Sequence, residues 1–150
     1  MQKGKVLALD YGKSRIGLAS GDLTLKIASP REVIDGKNVD FAVSKILDFC
    51  KKWEVKIIVV GLPLNMDESK KSEMVKNVNY FVGKIKKGLE DSKNIDLKEI
   101  EVVLFDERLS SFEADGLMHS AGKEAKDRRE YRDSYAACII LQRFFDSLQK

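Results

Sequence analysis

The chain opens with two apolar segments separated by a short polar turn. The segments over residues 4–10 and 15–20 predict two strands. The sequence DYGK between them predicts a hairpin connection in which Gly12 is free to adopt a positive φ. A third strand is predicted over residues 24–34. Because consecutive strands with short connections usually pair, this part of the chain predicts an antiparallel meander of three strands.

After the meander, the pattern alternates between helix and strand. Apolar residues at 43, 46, 47, 50 and 53 have the spacing of an amphipathic helix over residues 40–53, and VKIIVVGLP is typical of a strand buried on both faces. Asp67 is a candidate N-cap for a second helix, whose apolar stripe runs to Leu89. The polar segment DSKNIDLKE predicts a connection, and IEVVLFDERLSS predicts another buried strand that ends in acids.

The C-terminal third of the chain predicts two further helices. Ser110 or Ser111 can cap a helix that ends near Met118, and the charged segment SAGKEAKDRREYR predicts a mobile loop or a frayed helix start. The final helix is predicted from about Tyr131 to Leu148. The order β-β-β-α-β-α-β-α-α favours a single α/β domain over residues 1–150. Its mixed five-stranded sheet would join the antiparallel meander to parallel strands, with helices on both faces.

Composition narrows the class of protein without identifying a function. Apolar residues make up 43% of the chain and charged residues 34%, which is typical of a globular protein. No apolar run approaches the roughly 20 residues that span a bilayer, and the N-terminus lacks a secretory signal, so we expect no membrane association. Cys50 and Cys138 are expected to be buried free thiols of a reducing compartment, with the cytoplasm as the location. A net charge of +3 permits a polyanionic partner without requiring one.

Acidic residues terminate or head several buried elements. Asp10 ends the first strand, the DER sequence of residues 106–108 ends the last strand, and Asp133 heads the apolar stripe of the final helix. The carboxyl ends of parallel strands lie at one edge of a sheet, so these acids are expected to converge there. Converging carboxylates repel one another, and a divalent cation removes that cost. All-oxygen ligands suit Mg²⁺ or Mn²⁺ rather than zinc, and His119 is the only histidine available for other chemistry.

Each acid also has a structural explanation when it is taken alone. Asp10 can bond its own turn, Asp106 and Glu107 can be a cap and a surface charge, and Asp133 can complement the helix dipole. Arg15 and Arg108 can likewise be surface ion-pair partners. The lysines of the second helix form either a solvated face or a surface that follows phosphates. The convergence of the acids at one edge is what favours a metal site.

Four motifs resemble those of the YqgF (RuvX) family, whose members are described as pre-16S rRNA nucleases and belong to the RNase H-like (resolvase) superfamily. In chain order they are LALDYGKSRIGLAS, VVGLPLNMDES, LFDERLSS and DSYAACIILQRF, and they cover about residues 5–146. The resemblance implies an RNase H-like fold and a nuclease in which Asp10, an acid of the DER motif and Asp133 bind metal. The chain departs from the family pattern at Glu68, where glycine is usual.

The resulting hypothesis is phosphodiester hydrolysis with two Mg²⁺ or Mn²⁺ ions, bridged by Asp10. Neighbouring residues of a strand point to opposite faces, so one of Asp106 and Glu107 is expected to bind metal, and the sequence leaves the choice open. Side chains and helix amides at the same edge are candidates to hold the phosphates of the substrate. The candidate side chains are Arg15, Asn65, Lys70, Lys71 and Arg108.

Several functional alternatives remain at this level. The resemblance supports maturation of the 5′ end of pre-16S rRNA, within a pre-ribosomal particle, or resolution of four-way (Holliday) DNA junctions. RNA processing is favoured, because a two-fold symmetric junction normally requires a dimer and the sequence shows no dimer seam; a monomer or weak homodimer is expected. An actin-like ATP-dependent phosphotransferase would need two domains of this kind, and 150 residues contain only one. A catalytically silent nucleic-acid-binding module would gain nothing from mutually repelling carboxylates.

Overall fold

The computed structural model describes residues 4–62, 68–106 and 125–148, with the backbone alone at residues 62, 68–71, 106 and 125–133. Its centre is a five-stranded sheet in the order β3-β2-β1-β4-β5. The first three strands are antiparallel, whereas β1, β4 and β5 are parallel. The predicted mixed α/β sheet is therefore confirmed. The strands are β1 Lys5–Asp10, β2 Arg15–Asp22, β3 Ala28–Asp35, β4 Val55–Leu62 and β5 Glu101–Asp106.

The described helices lie on both faces of this sheet. They are α1 Val39–Lys52, α2 Glu68–Glu90, α3 Ile95–Lys98 and α4 Ala125–Ser147. Helix α1 has the predicted position, and its N-cap is Asn38, whose side chain accepts a hydrogen bond from the backbone N–H of Phe41. The predicted helix that ends near Met118 and the predicted cap Asp67 lie outside the described residues. No helix in the described ranges is long and apolar enough to cross a membrane.

Each face of the sheet has its own hydrophobic core, because successive strand residues point to opposite faces. Helices α1 and α2 cover one face, where Leu7 and Leu9 pack with Phe81. Helix α4 covers the other face, where Val6 and Ala8 pack with its apolar stripe. The stripe comprises Ala137, Ile140, Leu141, Phe144 and Phe145. Burial on both faces explains why the central strands read as continuous apolar runs.

The third strand begins later than the sequence predicts. Residues 23–25 form a turn in which the carboxylate of Asp22 accepts hydrogen bonds from the backbone N–H groups of Thr24 (2.6 Å) and Leu25 (3.3 Å). Lys26 then adopts a left-handed φ of 57°. The prediction of a strand from residue 24 is wrong because a side-chain carboxylate satisfies the amides that a strand ladder would use.

Three other local predictions differ from the structure. Gly12 does not have a positive φ; a β-carbon there would lie 2.7 Å from the carbonyl oxygen of Arg15, so a close backbone approach requires the glycine. The predicted connection DSKNIDLKE contains α3, a single turn capped by the side chain of Asn94. Helix α4 begins at Ala125, so the second half of the predicted loop or frayed start is helical.

Candidate active site

The three parallel strands end together at one edge of the sheet, here called the carboxyl edge. Leu9 pairs with Val60, so Asp10 at the end of β1 lies beside the end of β4. Leu62 pairs in turn with Asp106, the last residue of β5. Neighbouring strands lie about 4.8 Å apart, which places the backbones of Asp10 and Asp106 roughly 10 Å apart across β4.

Among the side chains that the structure describes at this edge, Asp10 is a buried carboxylate, with only 8% of its surface exposed. Val6 and Ala8 pack against α4, and the alternation along β1 therefore directs Asp10 to the face that α4 covers. A carboxylate at such a position is stable only where hydrogen-bond donors or cations surround it. The folded protein must therefore place hydrogen-bond donors or cations next to Asp10.

Glycines stand on both sides of Asp10. Gly17 is its direct partner in β2. In β4, Gly61 follows Val60, the partner of Leu9, and so occupies the position next to Asp10 on the other side. Neither neighbouring strand therefore places a β-carbon beside this carboxylate.

The turn that follows Asp10 is fixed to α2. The ring of Tyr11 packs on the ring of Phe81, with centroids 4.8 Å apart. Lys13 donates a hydrogen bond from Nζ to Oε1 of Glu73, at 2.8 Å. This hydrogen bond and the charge of Lys13 hold the pKa of Glu73 below its ordinary value. Helix α2 therefore positions the backbone on the solvent side of Asp10.

Arg15 lies at the same edge, at the exposed start of β2. It is two residues from Gly17 and therefore diagonal to Asp10, a relation in which β-carbons lie about 7–8 Å apart. An arginine side chain is long enough to span that distance. The turn before it is held by a hydrogen bond from the backbone N–H of Gly36 to the carbonyl oxygen of Ser14, at 2.9 Å.

Helix α4 crosses the Asp10 face with its C-terminal end at the opposite edge. A β-carbon on Gly21 would lie 2.6 Å from Cε2 of Phe145, and Gly21 pairs with Val6 near the start of β1. Gln142 binds the same end of the sheet: its Nε2 donates to the carbonyl oxygen of Lys26, and its Oε1 accepts from the backbone N–H of Ala28.

The predicted site residues differ in how far the structure describes them. Asp10 and Arg15 are described in full and lie at the carboxyl edge. For Asp106, Lys70, Lys71 and Asp133, the backbone positions at the end of β5, in the first turn of α2 and within α4 are described. Asn65, Glu107 and Arg108 lie outside the described residues.

Among the described side chains no cluster of three or more His, Cys, Asp or Glu residues could hold a metal ion. Of the predicted carboxylate ligands, only Asp10 has a side chain in that set. Tyr11, Lys13 and Gly61 are site features that sequence reasoning missed. The motif DYGK displays the first two, but their partners Phe81 and Glu73 lie far along the chain and have no local signal.

Comparison with known proteins gives a family for the chain. The family model "RuvX: Holliday junction resolvase" matches residues 4–147. A protein of Thiobacillus denitrificans named "Putative pre-16S rRNA nuclease" is 35% identical over 144 residues, which are 96% of this chain and 92% of the relative. A protein of Fusobacterium nucleatum with the same name is 36% identical over 143 residues, which are 95% of this chain and 96% of the relative.

Solved structures support the fold. The RuvC protein of T. thermophilus in complex with a Holliday junction substrate has a TM-score of 0.59 at 14% identity, covering 97% of this chain and 96% of that one. Fowlpox virus resolvase in complex with Holliday junction DNA has a TM-score of 0.54 at 13% identity, covering 97% and 99%. These similarities confirm the predicted RNase H-like fold. The family match covers nearly the whole chain, and this protein therefore belongs to the RuvX family of nucleases.

Proposed function

We propose that this nuclease hydrolyses phosphodiester bonds in structured RNA, at the 5′ end of pre-16S rRNA, with divalent metal held by carboxylates. The observation that carries the proposal is the position of Asp10: a buried carboxylate at the carboxyl edge, with glycine on both neighbouring strands. The relatives named for pre-16S rRNA, matched over nearly their whole length, support the choice of RNA. A ribosomal RNA precursor as substrate would place the protein in the cytoplasm.

The donor chemistry at this edge fits Mg²⁺ or Mn²⁺. Asp10 and Asp133, with Asp106 or Glu107, would hold the metal, and carboxylate oxygens are the ligands that these hard cations prefer. Bound metal of this kind supplies activation of an attacking water and stabilisation of the leaving oxygen. The glycines on both neighbouring strands add no side chain that would compete with such a group for the Asp10 carboxylate.

The course of α4 supports a role for Asp133. Phe145 lies over Gly21, level with the start of β1. From Phe145 back to Asp133 an α-helix rises about 18 Å, while β1 covers only about 13 Å from Val6 to Asp10. A helix that follows the strand direction is therefore long enough to bring Asp133 to the carboxyl edge.

The alternation along β5 favours Glu107 over Asp106 as the second carboxylate. Val103 and Phe105 pack in the core on the α4 side, which is also the side of Asp10, whereas Val102 packs on the opposite side. Odd-numbered positions of this strand therefore share a face with Asp10. On this basis we assign Glu107 to the metal and Asp106 to a supporting role.

Cationic and amide groups at the edge would hold the substrate. Arg15 is diagonal to Asp10 and can form paired hydrogen bonds with a phosphate. Lys70 and Lys71 lie in the first turn of α2, where the helix dipole also favours anions. Arg108 and Asn65 complete the proposed set of substrate contacts.

The direct test compares cleavage of a precursor RNA, containing the mature 5′ end of 16S rRNA and its upstream extension, by wild type and by Asp10→Asn in Mg²⁺. We expect loss of cleavage in Asp10→Asn and no change in Asp91→Asn, which alters an exposed acid beyond the end of α2. The precursor ends in cells that carry only Asp10→Asn should then remain extended. Undiminished cleavage by Asp10→Asn would contradict the proposal.

A second candidate is cleavage of four-way DNA junctions, favoured by the description of the matching family model. A junction has two-fold symmetry and would normally require two active sites, hence a dimer. If the protein processes RNA instead, we expect a monomer or weak homodimer whose association state does not change when a four-way junction is added. A stable dimer that forms on the junction and cuts it symmetrically would favour resolution over RNA processing.

A further inference from the structure

An exposed ion pair joins the turn after Asp10 to helix α2. Lys13 lies in the turn between β1 and β2, three residues after Asp10, and its Nζ is 2.8 Å from Oε1 of Glu73. The two side chains are 59% and 67% exposed. The contact between the carboxyl edge and α2 at this point therefore lies on the surface, where a bound polymer can reach it.

Glu73 adjoins the proposed phosphate contacts at the start of α2. The helix begins at Glu68, so Glu73 lies in its second turn. Residues three apart are neighbours on a helix surface, and the position of Glu73 is therefore next to that of Lys70. Lys13 is held between the carboxyl edge, where Asp10 would bind metal, and the first turn of α2, where phosphates would bind.

The ion pair keeps the ammonium group of Lys13 charged but leaves it open to exchange. The hydrogen bond to Glu73 and the charge of Glu73 raise the pKa of Lys13, so the ammonium group stays protonated at neutral pH. An ammonium group donates more than one hydrogen bond, and the contact with Glu73 uses a single N–H. Because exposed ion pairs contribute little to stability, a phosphate can share the ammonium group or replace the carboxylate.

We infer that Lys13 is a further substrate-binding residue, which contacts a phosphate flanking the cleaved bond, and that Glu73 is its positioning residue, which competes with that phosphate for the ammonium group. This inference rests on the proposed function for its substrate. The other explanation is that the ion pair only fastens the turn to α2. A pair that only fastens the turn is broken in the same way by removal of either partner, whereas a competing acid opposes the contact that it positions.

The experiment measures binding rather than cleavage, in the Asp10→Asn background, with the precursor RNA of the direct test. For Lys13→Ala we expect at least about threefold weaker binding. The slope of log affinity against log salt should also fall by about 0.7–0.9, which is the loss of one phosphate contact. Lys13→Arg, which keeps the charge, should bind as the parent does. For Glu73→Gln, which removes the competing charge, we expect about threefold tighter binding.

A matched control is the exposed ion pair of Lys84 with Asp40, at 2.9 Å, which joins α2 to α1. Lys84 lies about 16 Å further along α2 than Glu73, away from the carboxyl edge. Lys84→Ala and Asp40→Asn change the net charge by the same amounts as Lys13→Ala and Glu73→Gln. Both should leave the affinity and the salt slope unchanged.

The inference requires opposite signs for Lys13→Ala and Glu73→Gln. Effects of the same sign, or unchanged binding in either variant, would overturn it. Equal effects from the control pair would also overturn it, because net charge alone would then explain the binding. The same measurements on a four-way DNA junction separate this inference from the proposed function. Opposite signs on the junction, in a protein that does not bind the RNA, would uphold the inference and refute the choice of RNA.

Discussion

The ring of Tyr11 packs on the ring of Phe81, with centroids 4.8 Å apart and planes inclined by 36°. Phe81 is fully buried in the core between the sheet and α2. Because Tyr11 directly follows Asp10, this contact fixes the backbone of the buried carboxylate from the face opposite to its own side chain. The core under α2 and the candidate active site are therefore mechanically connected.

We expect Tyr11→Ala to impair cleavage more than stability. Loss of the ring pairing should cost about 0.5–1.5 kcal/mol of unfolding free energy beyond the lost burial of the ring, whereas a displaced carboxylate can cost about a hundredfold in rate. Tyr11→Phe keeps the contact and should behave as wild type. The measurements are kcat on the precursor RNA and the urea midpoint. A wild-type kcat in Tyr11→Ala would show that the contact does not position Asp10.

The glycines beside Asp10 should be required for activity. In Gly17→Ala or Gly61→Ala, a methyl group is added next to the carboxylate, where metal or phosphate would lie. We expect a loss of cleavage of about tenfold or more, with weaker stabilisation of the protein by Mg²⁺ in thermal unfolding. Gly83→Ala, which adds the same methyl group in open space on α2, is the control. Full activity of both edge variants would contradict the proposed use of this space.

Asp106, the last residue of β5, and Glu107, which follows it in the sequence, should not be equivalent. We expect Glu107→Gln to abolish cleavage, as we also expect of Asp10→Asn, and Asp106→Asn to retain a measurable rate, because odd-numbered positions of β5 share a face with Asp10. The readouts are the cleavage rate and the Mg²⁺ concentration for half-maximal activity. The reverse order of effects would assign the metal to Asp106.

One substitution should have opposite effects at two glycines. A β-carbon on Gly21 would lie 2.6 Å from both the carbonyl oxygen of Ile27 and Cε2 of Phe145, so Gly21→Ala should destabilise the fold by about 1–3 kcal/mol. No atom lies within 4 Å of a β-carbon on Gly83, and alanine there should stabilise α2 by about 0.5–1 kcal/mol. Urea unfolding of both variants measures the signs. A stable Gly21→Ala protein would show that α4 can shift on β2.

Stability should fall in alkaline solution partly because of Cys50. Burial raises the pKa of its thiol from an ordinary value of 9.0 to about 12. Between these values the unfolded chain loses this proton and the folded chain keeps it, so rising pH favours unfolding; below pH 9 the thiol has no such effect. We expect a shallower alkaline decline in Cys50→Ala, measured by urea unfolding from about pH 8 to about pH 11. Identical slopes would refute this origin.

Local patterns of apolar and polar residues were sufficient to predict the central strands and α1. Strands β1 and β4 are apolar runs because both of their faces are covered, and α1 shows its buried stripe directly. Strand β5 was predicted to be buried as well, but it lies at the edge of the sheet and its Leu104 is 43% exposed. The turn over residues 23–25 was missed because the carboxylate of Asp22 binds the amides of Thr24 and Leu25, whereas the alternation of apolar residues there is typical of a strand. The single turn of α3 was missed because its cap, Asn94, is also a common loop residue.

Local patterns were enough to place acids at the ends of β1 and β5, because the strand period and the chain direction can be read from neighbouring residues. The surroundings of Asp10 depend instead on how the folded chain packs. Strand register placed Gly17 and Gly61 beside it, and packing of α2 brought Phe81 to Tyr11. Register and helix packing depend on contacts between distant parts of the chain, which no local pattern of apolar and polar residues encodes.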